Sequence, residues 1–472
     1  MFESEFAEAD DATVVAAIEE CTREEAAAGA RRLAATAELA RRRVADEDER
    51  ALWAFDGWDS AAAEVAAAMS VGHRRASAQM RIALALRERL PRVAALYRQG
   101  LLSSRVVSVI TWRTHLVEDV EALALIDAAI ADRAIGWGAL SEHKLDEAID
   151  AWIARFDPAA LRHTEADMRT RDFCVGDIDD PAGVVSVWGR LLATDGAVIK
   201  KRIADMVAGV CEEDPRSAGQ RRSDAVGAIL AGSDHLVCEC GSETCPSAGQ
   251  SRPSNVVVHV LAEQSAVGAA TAPATASEKA ATSPSTALIV GGGVLPNPLL
   301  GEVIRGGAKV RPITKPSAEP EPQYRPSTGL AEFVRMRDLF CRAPGCDVPA
   351  DRCDIDHTRP YPFGPTHASN LKCLCRTHHL MKTFGGWDDV QLPDGTVIWT
   401  SPSGKTYTTQ PGSKLFYPAW DTTTADLPPP PIVVPPVGDR GVMMPKRKRT
   451  RAAECAARIK AERAKNLLAA PF

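Results

Sequence analysis

Apolar residues recur at helical spacing through the first third of the chain. One stripe carries Leu33 and Ala37, and another carries Met80 and Leu84. Residues three or four apart lie on the same face of an α-helix, so each stripe marks a buried face. The pattern predicts a mainly α-helical domain over residues 13–165.

Two places in this domain have the pattern of a helix-turn-helix. The paired segments are 62–69 with 73–86, and 91–99 with 103–111. Arg74, Arg75 and Arg81 lie on the second helix of the first pair, where they would suit a phosphate backbone. An ordinary helical hairpin with a solvated basic face gives the same pattern, so both interpretations stay open.

After residue 165 the pattern changes to short β-rich runs. Strands are predicted at 173–175 and 183–188, a helix at 194–210, and a further β-rich run at 255–262. Residues 166–263 are therefore interpreted as an α+β extension of the helical domain.

Three cysteines lie close together near the end of this extension. Cys238, Cys240 and Cys245 follow His235, and three thiolates with an imidazole could complete a tetrahedral zinc site. Cysteines of a surface loop are the alternative interpretation.

The composition divides the rest of the chain into linkers, a module and a basic tail. Residues 264–326 are expected to be a flexible linker with a small packed element near 288–312, and 411–445 a Pro-rich linker. Residues 327–410, between the linkers, are predicted to form an independent module, and 446–472 a basic tail.

Within the module, the pattern predicts a mixture of helix and hairpin. Helices are expected at 330–339 and over most of 371–384, with a short strand at 354–357 between them. Pro-Asp-Gly at 393–395 and Pro-Ser-Gly at 402–404 mark two hairpins. Trp387 and Trp399 are expected in the core of these hairpins.

The charge of the chain is unevenly distributed, with a basic segment at 446–472. The chain has 56 basic and 62 acidic residues, whereas 446–472 has nine Lys or Arg against two Glu. A basic tail on an acidic body indicates a polyanionic partner.

The sequence has no basic-then-apolar leader and no apolar run of membrane length. Its cysteines that lie beside histidines favour metal binding over disulfides, as in a reducing compartment. We therefore expect a cytoplasmic protein without membrane contact.

The chemistry-bearing residues are concentrated between Cys341 and His379. Asp356-His357 precedes Asn370 and His379. A neutral His357 could take a proton from water, while Asp356 and His379 could hold one divalent ion that grips a phosphate. An imidazole ligand leaves Mn²⁺, Ni²⁺ or Zn²⁺ open. Asn370 more naturally ties the loop after His357 to the next element.

Asp356-His357, Asn370-Leu371 and Leu374–His379 followed by Lys382 resemble the HNH endonuclease motif. Together with the helical N-terminal half, the chain resembles the mycobacterial thirteen-E-twelve repeat family, in which a domain of unknown function precedes an HNH domain. The resemblance implies a ββα-metal (His-Me finger) fold and Mg²⁺ or another divalent ion as cofactor.

The resemblance also implies a structural Zn²⁺ held by Cys341, Cys346, Cys375 and His378. His378 stands where many relatives carry a fourth cysteine, so Cys353 and Cys373 are rival ligands. The assignment of His378 to one metal and His379 to the other is likewise open.

The sequence thus predicts a metal-dependent endonuclease that hydrolyses DNA, with RNA not excluded. Catalysis is assigned to His357, His379 and Asn370. The residues expected to contact nucleic acid are Arg376, Lys382, Lys446, Arg447, Lys448, Arg449 and Arg451. The competing interpretation is a non-catalytic, zinc-containing nucleic-acid-binding or regulatory protein with a degenerate module.

Overall fold

The computed structural model describes most of the chain. The described residues are 6–44, 50–161, 172–176, 180, 183–191, 193–242, 244–245, 247–248, 259–271, 287–290, 293–305, 308–427 and 441–469. They form two compact units. One is built from both ends of the chain, up to Thr164 and from Arg311 onward, and the other from Glu165–Val310.

Seven α-helices form the N-terminal part of the first unit. They are α1 Asp11–Val44, α2 Gly57–Met69, α3 His73–Glu88, α4 Pro91–Arg98, α5 Ser104–Arg113, α6 Val120–Ala131 and α7 Glu142–Phe156. Oxygen-bearing N-caps start several of them: Asp56 accepts from the Asp59 N–H, and Ser103 from the Val106 N–H. The prediction of a mainly helical N-terminal region is confirmed here.

Both predicted helix pairs are also present. Ser70 ends α2 in the left-handed conformation, and Gly100 (φ +75°) separates α4 from α5. A side chain at Gly100 would collide with the carbonyl of Arg23 in α1, so a residue without Cβ is required there. The Arg81 guanidinium lies over the Trp58 ring, 5.8 Å from its centroid.

The described residues of the second unit form short strands and four helices. They are β1 Asp172–Val175, β2 Val187–Arg190, α8 Ala193–Ala208, α9 Ala218–Leu230, β3 Val260–Ala262, α10 Gln264–Thr271, β4 Ala287–Ile289, β5 Val294–Leu295 and α11 Asn297–Arg305. Strands β1 and β2 pair antiparallel, and β3, β4 and β5 form a second antiparallel sheet. The expected linker at 264–285 thus begins with a helix, and its remainder from 272 lies outside the described residues.

The C-terminal part of the first unit combines a strand pair, a three-stranded sheet and helices. The elements are α12 Thr328–Asp338, β6 Asp354–His357, β7 Leu371–Leu374, α13 Arg376–Phe384, β8 Asp388–Gln391, β9 Val397–Thr400, β10 Thr406–Thr409 and α14 Ser413–Phe416. The two predicted hairpins join β8 to β9 and β9 to β10. Trp387 and Trp399 are buried, as expected.

The helix expected over most of 371–384 occupies Arg376–Phe384. Residues 371–374 are a strand rather than the start of a helix. All four side chains are buried, so the apolar pattern has neither period and does not distinguish the two structures. The helix begins only at Arg376.

A buried charge cluster lies beneath this strand. Asp338, fully buried, accepts from Arg337 Nε at 2.8 Å, from Arg342 Nη1 at 3.2 Å and from the Cys373 N–H at 2.8 Å. Arg337 in turn donates to the carbonyl of Leu371. These bonds fix β7 relative to α12 because each buried polar group has a partner.

The segments on either side of the expected module are packed rather than free. Before it, the Glu321 N–H donates to the Thr366 carbonyl at 2.9 Å. After it, the Trp420 ring meets Phe333 edge-on, and the Thr422 hydroxyl donates to the Asp394 carbonyl at 2.8 Å. Packing therefore extends from before residue 327 to beyond 410; residues 428–440 of the expected linker are outside the described part.

The basic tail is largely helical and packs against the helical part. It forms helix α15, Arg451–Ala469. Arg447 and Arg451 pair with Asp56 and Asp59 at the start of α2, at 2.6–3.1 Å. Arg463 pairs with Asp157 at 2.7 Å. Three of the nine basic residues of the tail therefore pair with acidic groups of the helical part.

Candidate functional site

The strand pair β6–β7 and helix α13 bring the predicted catalytic residues together. Asp356 is opposite Lys372 in the antiparallel register, and His357 is opposite Leu371. His379 and Lys382 lie on one face of α13, three residues apart, and that face meets β6. His379 Nε2 is consequently 3.4 Å from Asp356 Oδ1.

Asp354, which the sequence interpretation left without a role, orients His379. Its Oδ2 lies 2.9 Å from His379 Nδ1. An ionised carboxylate only accepts hydrogen bonds, so in the neutral imidazole Nδ1 carries the proton and Nε2 has its lone pair free. This lone pair faces Asp356 Oδ1. Two acceptors facing each other need a cation or a proton between them, so the pair fits a cation-binding role.

Two lysines surround the other oxygen of Asp356. Lys382 Nζ is 2.6 Å from Oδ2, and the fully buried Lys372 Nζ is 3.2 Å away. Burial alone would raise the pKa of Asp356, but the charges of Lys372 and Lys382 outweigh it and lower the pKa to about 2. Lys372 also pairs with Asp389 at 2.6 Å. Asp356 is therefore ionised at neutral pH.

His357, the neighbour of Asp356 on β6, is buried. It is 5% exposed, and its Nε2 lies 2.9 Å from Thr366 Oγ1. Burial is the main cause that lowers the pKa of His357, to about 4. The imidazole is neutral at pH 7.

Tyr324 forms a cover over His357. The two rings stack with centroids 5.3 Å apart and planes 14° from parallel. The Thr366 hydroxyl donates to the Tyr324 carbonyl at 3.3 Å, and the Tyr361 hydroxyl donates to the carbonyl of Pro322. Tyr324 itself remains 59% exposed. Its segment was expected to be linker, and only the fold places it here.

Asn370 makes the bonds of a loop brace. Its amide donates to the carbonyls of Arg359, at 3.0 Å, and Pro365, at 2.8 Å. Its carbonyl oxygen accepts from the Arg359 N–H at 2.8 Å. These three bonds all go to the backbone between β6 and β7, so Asn370 shapes the loop that follows His357.

A closed group of potential metal ligands lies on the other side of α13. The donor atoms of Cys341, Cys346, Cys375 and His378 are all within 4.8 Å of one another. His378 Nδ1 is 3.2 Å from the Cys375 sulfur and 3.5 Å from the Cys341 sulfur. Three soft sulfurs and an imidazole are a zinc ligand set, and the group could hold such an ion.

The rival ligands lie outside this group. The Cys353 thiol donates to the Pro349 carbonyl at 3.3 Å, and Cys373 lies against the Val334 carbonyl. Adjacent positions on a helix point about 100° apart, so His378 and His379 face different groups. His378 faces the sulfurs and His379 faces the carboxylates.

The Cys341–Cys346 loop touches the helical part directly. Gly345 (φ +70°) lies so close to the Val71 carbonyl that no Cβ would fit. His73, at the start of α3, meets the His378 ring edge-on at 5.8 Å and lies 3.3 Å from Asp59. The turn between α2 and α3 thus supports the closed group.

A second group of sulfurs lies in the other unit. The sulfurs of Cys211, Cys238, Cys240 and Cys245 are within 4.8 Å of one another. His235, expected as the fourth ligand, instead bonds Asp234 at 2.8 Å. Cys211, far upstream, takes the fourth position, and no local spacing in the sequence pointed to it.

The residues predicted to contact nucleic acid divide into two sets. Arg376 beside Asp354, and Lys446, Lys448 and Arg449, are exposed. Lys382, Arg447 and Arg451 are engaged with carboxylates instead. No described helix is long and apolar enough to cross a membrane.

Comparison with known proteins identifies the family. The model of the domain of unknown function DUF222 matches residues 20–338. An uncharacterized Mycobacterium tuberculosis protein, Rv3776, is 58% identical over 98% of this chain and 91% of its own length. A second, Rv2100, is 54% identical over 98% of this chain and 89% of its own length. No solved structure matches. Helices α1–α12, the second unit between them, and the relatives that share nearly the whole length all lead to one conclusion: the chain belongs to the DUF222 family.

Proposed function

We propose that this protein is a metal-dependent endonuclease of the HNH type that hydrolyses DNA phosphodiester bonds. The observation that carries the proposal is the 3.4 Å approach of Asp356 Oδ1 to His379 Nε2, next to His357 in the sequence. The strand pair β6–β7 and helix α13 bring these residues together. The order of elements and the resemblance of the motif support the same assignment.

His357 is assigned the role of general base. A neutral imidazole next to the cation-binding pair can accept a proton from an attacking water. Thr366 holds the ring through Nε2, and Asn370 shapes the loop behind it. Tyr324 covers the ring, so substrate reaches His357 only after Tyr324 moves from its stacked position.

Asp356 and His379 are assigned the divalent ion, Mg²⁺ or a softer ion accepted by imidazole. When bound there, the ion would neutralise charge on the phosphate and on the leaving 3′ oxygen. Lys372 and Lys382 keep Asp356 ionised, and Asp354 keeps the His379 lone pair directed at the site. The exposed Arg376 offers a positive group beside the site for a neighbouring phosphate.

Nicking of supercoiled plasmid by the purified full-length protein tests the proposal. We expect nicking with Mg²⁺ or Mn²⁺ and none with a chelator. His357→Ala should lower the rate roughly 10²- to 10⁴-fold, the usual contribution of a general base. His143→Ala, a surface histidine on α7, is the matched control and should cut like the wild type.

Equal cutting by His357→Ala and the wild type would refute the assignment of the base. Binding of plasmid without nicking, with every divalent ion tested, would favour the second candidate, a non-catalytic nucleic-acid-binding protein. The Tyr324 cover over His357 is the observation that favours this candidate. Tyr324→Ala, which uncovers the ring, distinguishes a covered enzyme from a site without activity.

A further inference from the structure

The sulfur group of the second unit has the composition and compactness of a metal site. The Cys211 and Cys238 sulfurs are 3.3 Å apart, and all four sulfurs lie within 4.8 Å of one another. With zinc–sulfur bonds of about 2.3 Å, tetrahedral ligands stand roughly 3.8 Å apart. The four thiols are free in the structure, and the 3.3 Å separation exceeds the roughly 2.05 Å of a disulfide.

The backbone around the sulfurs is folded into tight turns. The Cys238 N–H donates to the Ser247 carbonyl at 2.9 Å, and the Cys245 N–H donates to the Ser242 carbonyl at 3.2 Å. These bonds bring Cys245 back to Cys238 and Cys240. Three ligands are thereby held on one side by local chain geometry.

A buried carboxylate joins Cys211 to the other three. Asp214 accepts from Arg216 Nη2 at 2.8 Å and from the Glu239 N–H at 2.9 Å. The same Arg216 nitrogen reaches the Val237 carbonyl at 2.7 Å. Because Asp214 follows Cys211 and Glu239 lies between Cys238 and Cys240, this network sets the distance between the two ligand-bearing segments.

The described core around the sulfurs is small. Its buried apolar residues, apart from Cys238, are Met206, Val210, Ala225 and Leu236. They hold α8 to α9 and to the cysteine loop. Small cores of this kind usually need a disulfide or a metal for stability.

We propose that Cys211, Cys238, Cys240 and Cys245 bind a structural Zn²⁺ that fastens the cysteine loop to the end of α8. Four thiolates in a closed tetrahedron leave no position for substrate, so the role is structural. The site is separate from the groups assigned to endonuclease activity and does not depend on that assignment.

Metal analysis of the full-length protein tests the site. We expect two zinc ions per chain in the wild type and one in Cys211→Ser. Cys375→Ser should also retain one. Cys174→Ser, a free thiol on β1, and His235→Ala should both retain two. A zinc content of Cys211→Ser equal to that of the wild type, or a loss in His235→Ala, would overturn the proposal, as would iron in place of zinc.

Alkylation of the wild type gives an answer that does not require a folded variant. Iodoacetamide followed by peptide mass mapping should modify Cys211, Cys238, Cys240 and Cys245 only after zinc is removed by a chelator. Cys21, which is exposed, should react in both conditions. Modification of the four before chelation, or recovery of a Cys211–Cys238 disulfide, contradicts a zinc site.

Discussion

The two cysteine groups use similar ligands in very different surroundings. Three of the four members of the Cys341 group are buried, within a core that includes Phe333, Leu371 and Trp399. In the Cys211 group only Cys238 is buried, and its core is small. A metal in the first group would add to a structure that has other support. In the second it would supply most of the support.

The largest expected effect of this contrast is on local stability after zinc removal. A structural zinc contributes roughly 10–16 kcal/mol of binding free energy, which exceeds what a small core supplies. Chelation should therefore abolish amide hydrogen-exchange protection in α8 and α9, while β8–β10 stay protected. Helix α5 is the internal control. Loss of protection in β8–β10 equal to that in α8 would remove the contrast.

A second prediction concerns the support that the first group has without metal. Asp338→Asn leaves Arg337 and Arg342 buried without their counter-charge, which typically costs about 3–5 kcal/mol. Urea denaturation followed by tryptophan fluorescence measures the free energy of unfolding. Asp351→Asn, on the exposed surface, is the matched control. A loss below about 1 kcal/mol would mean that the metal, rather than the charge cluster, holds this core.

The smallest effect is expected where the tail meets the helical part. Replacing Arg447 and Arg451 together by Ala leaves Asp56 and Asp59 without these partners, at a cost of about 1–3 kcal/mol. The exposed pair Lys448 and Arg449, replaced in the same way, should change the free energy of unfolding by less than about 0.5 kcal/mol. Equal losses in both double variants would contradict a specific contact.

Acid should weaken the same contact. Burial alone would raise the pKa of Asp59, but the hydrogen bond from His73 and the charges of Arg451, His73 and Arg447 lower it below its ordinary value. A carboxyl group whose pKa is lower in the folded state stabilises that state at pH values above its unfolded pKa of about 3.9. This stabilisation is lost as the pH falls through the pKa of the folded state. Asp59→Asn should therefore flatten the acid limb of the stability curve, whereas an unchanged limb would exclude Asp59 as its source.

Local patterns were sufficient for much of the fold. Helical stripes indicated the helical N-terminal region with the pairs α2–α3 and α4–α5, and the turn sequences at 393–395 and 402–404 indicated the hairpins of β8–β10. These patterns do not mark the boundary between strand and helix where both periods are absent, as in Leu371–Leu374. They also failed for Pro-rich segments, since extended chain packed on a surface has the same composition as a free linker.

The candidate sites show the same limit. Motif spacing brought forward Asp356, His357 and His379 because they lie within a short stretch. Cys211 and Tyr324 were missed, since each reaches its partners through tertiary structure and has no spacing motif of its own. The charges of Arg447 and Arg451 were assigned to a polyanion because their acidic partners lie far away in the sequence.

The ion pair between Arg447 and Asp56 also has a consequence for the order of folding during synthesis. Its two residues are 391 positions apart. At roughly 5–20 residues per second, a ribosome needs roughly 20–80 s to make the intervening chain. The central unit, whose residues are contiguous, can close while the N-terminal helices still await Arg447, Arg451 and α15. The first part of the chain to be made is thus among the last to be completed.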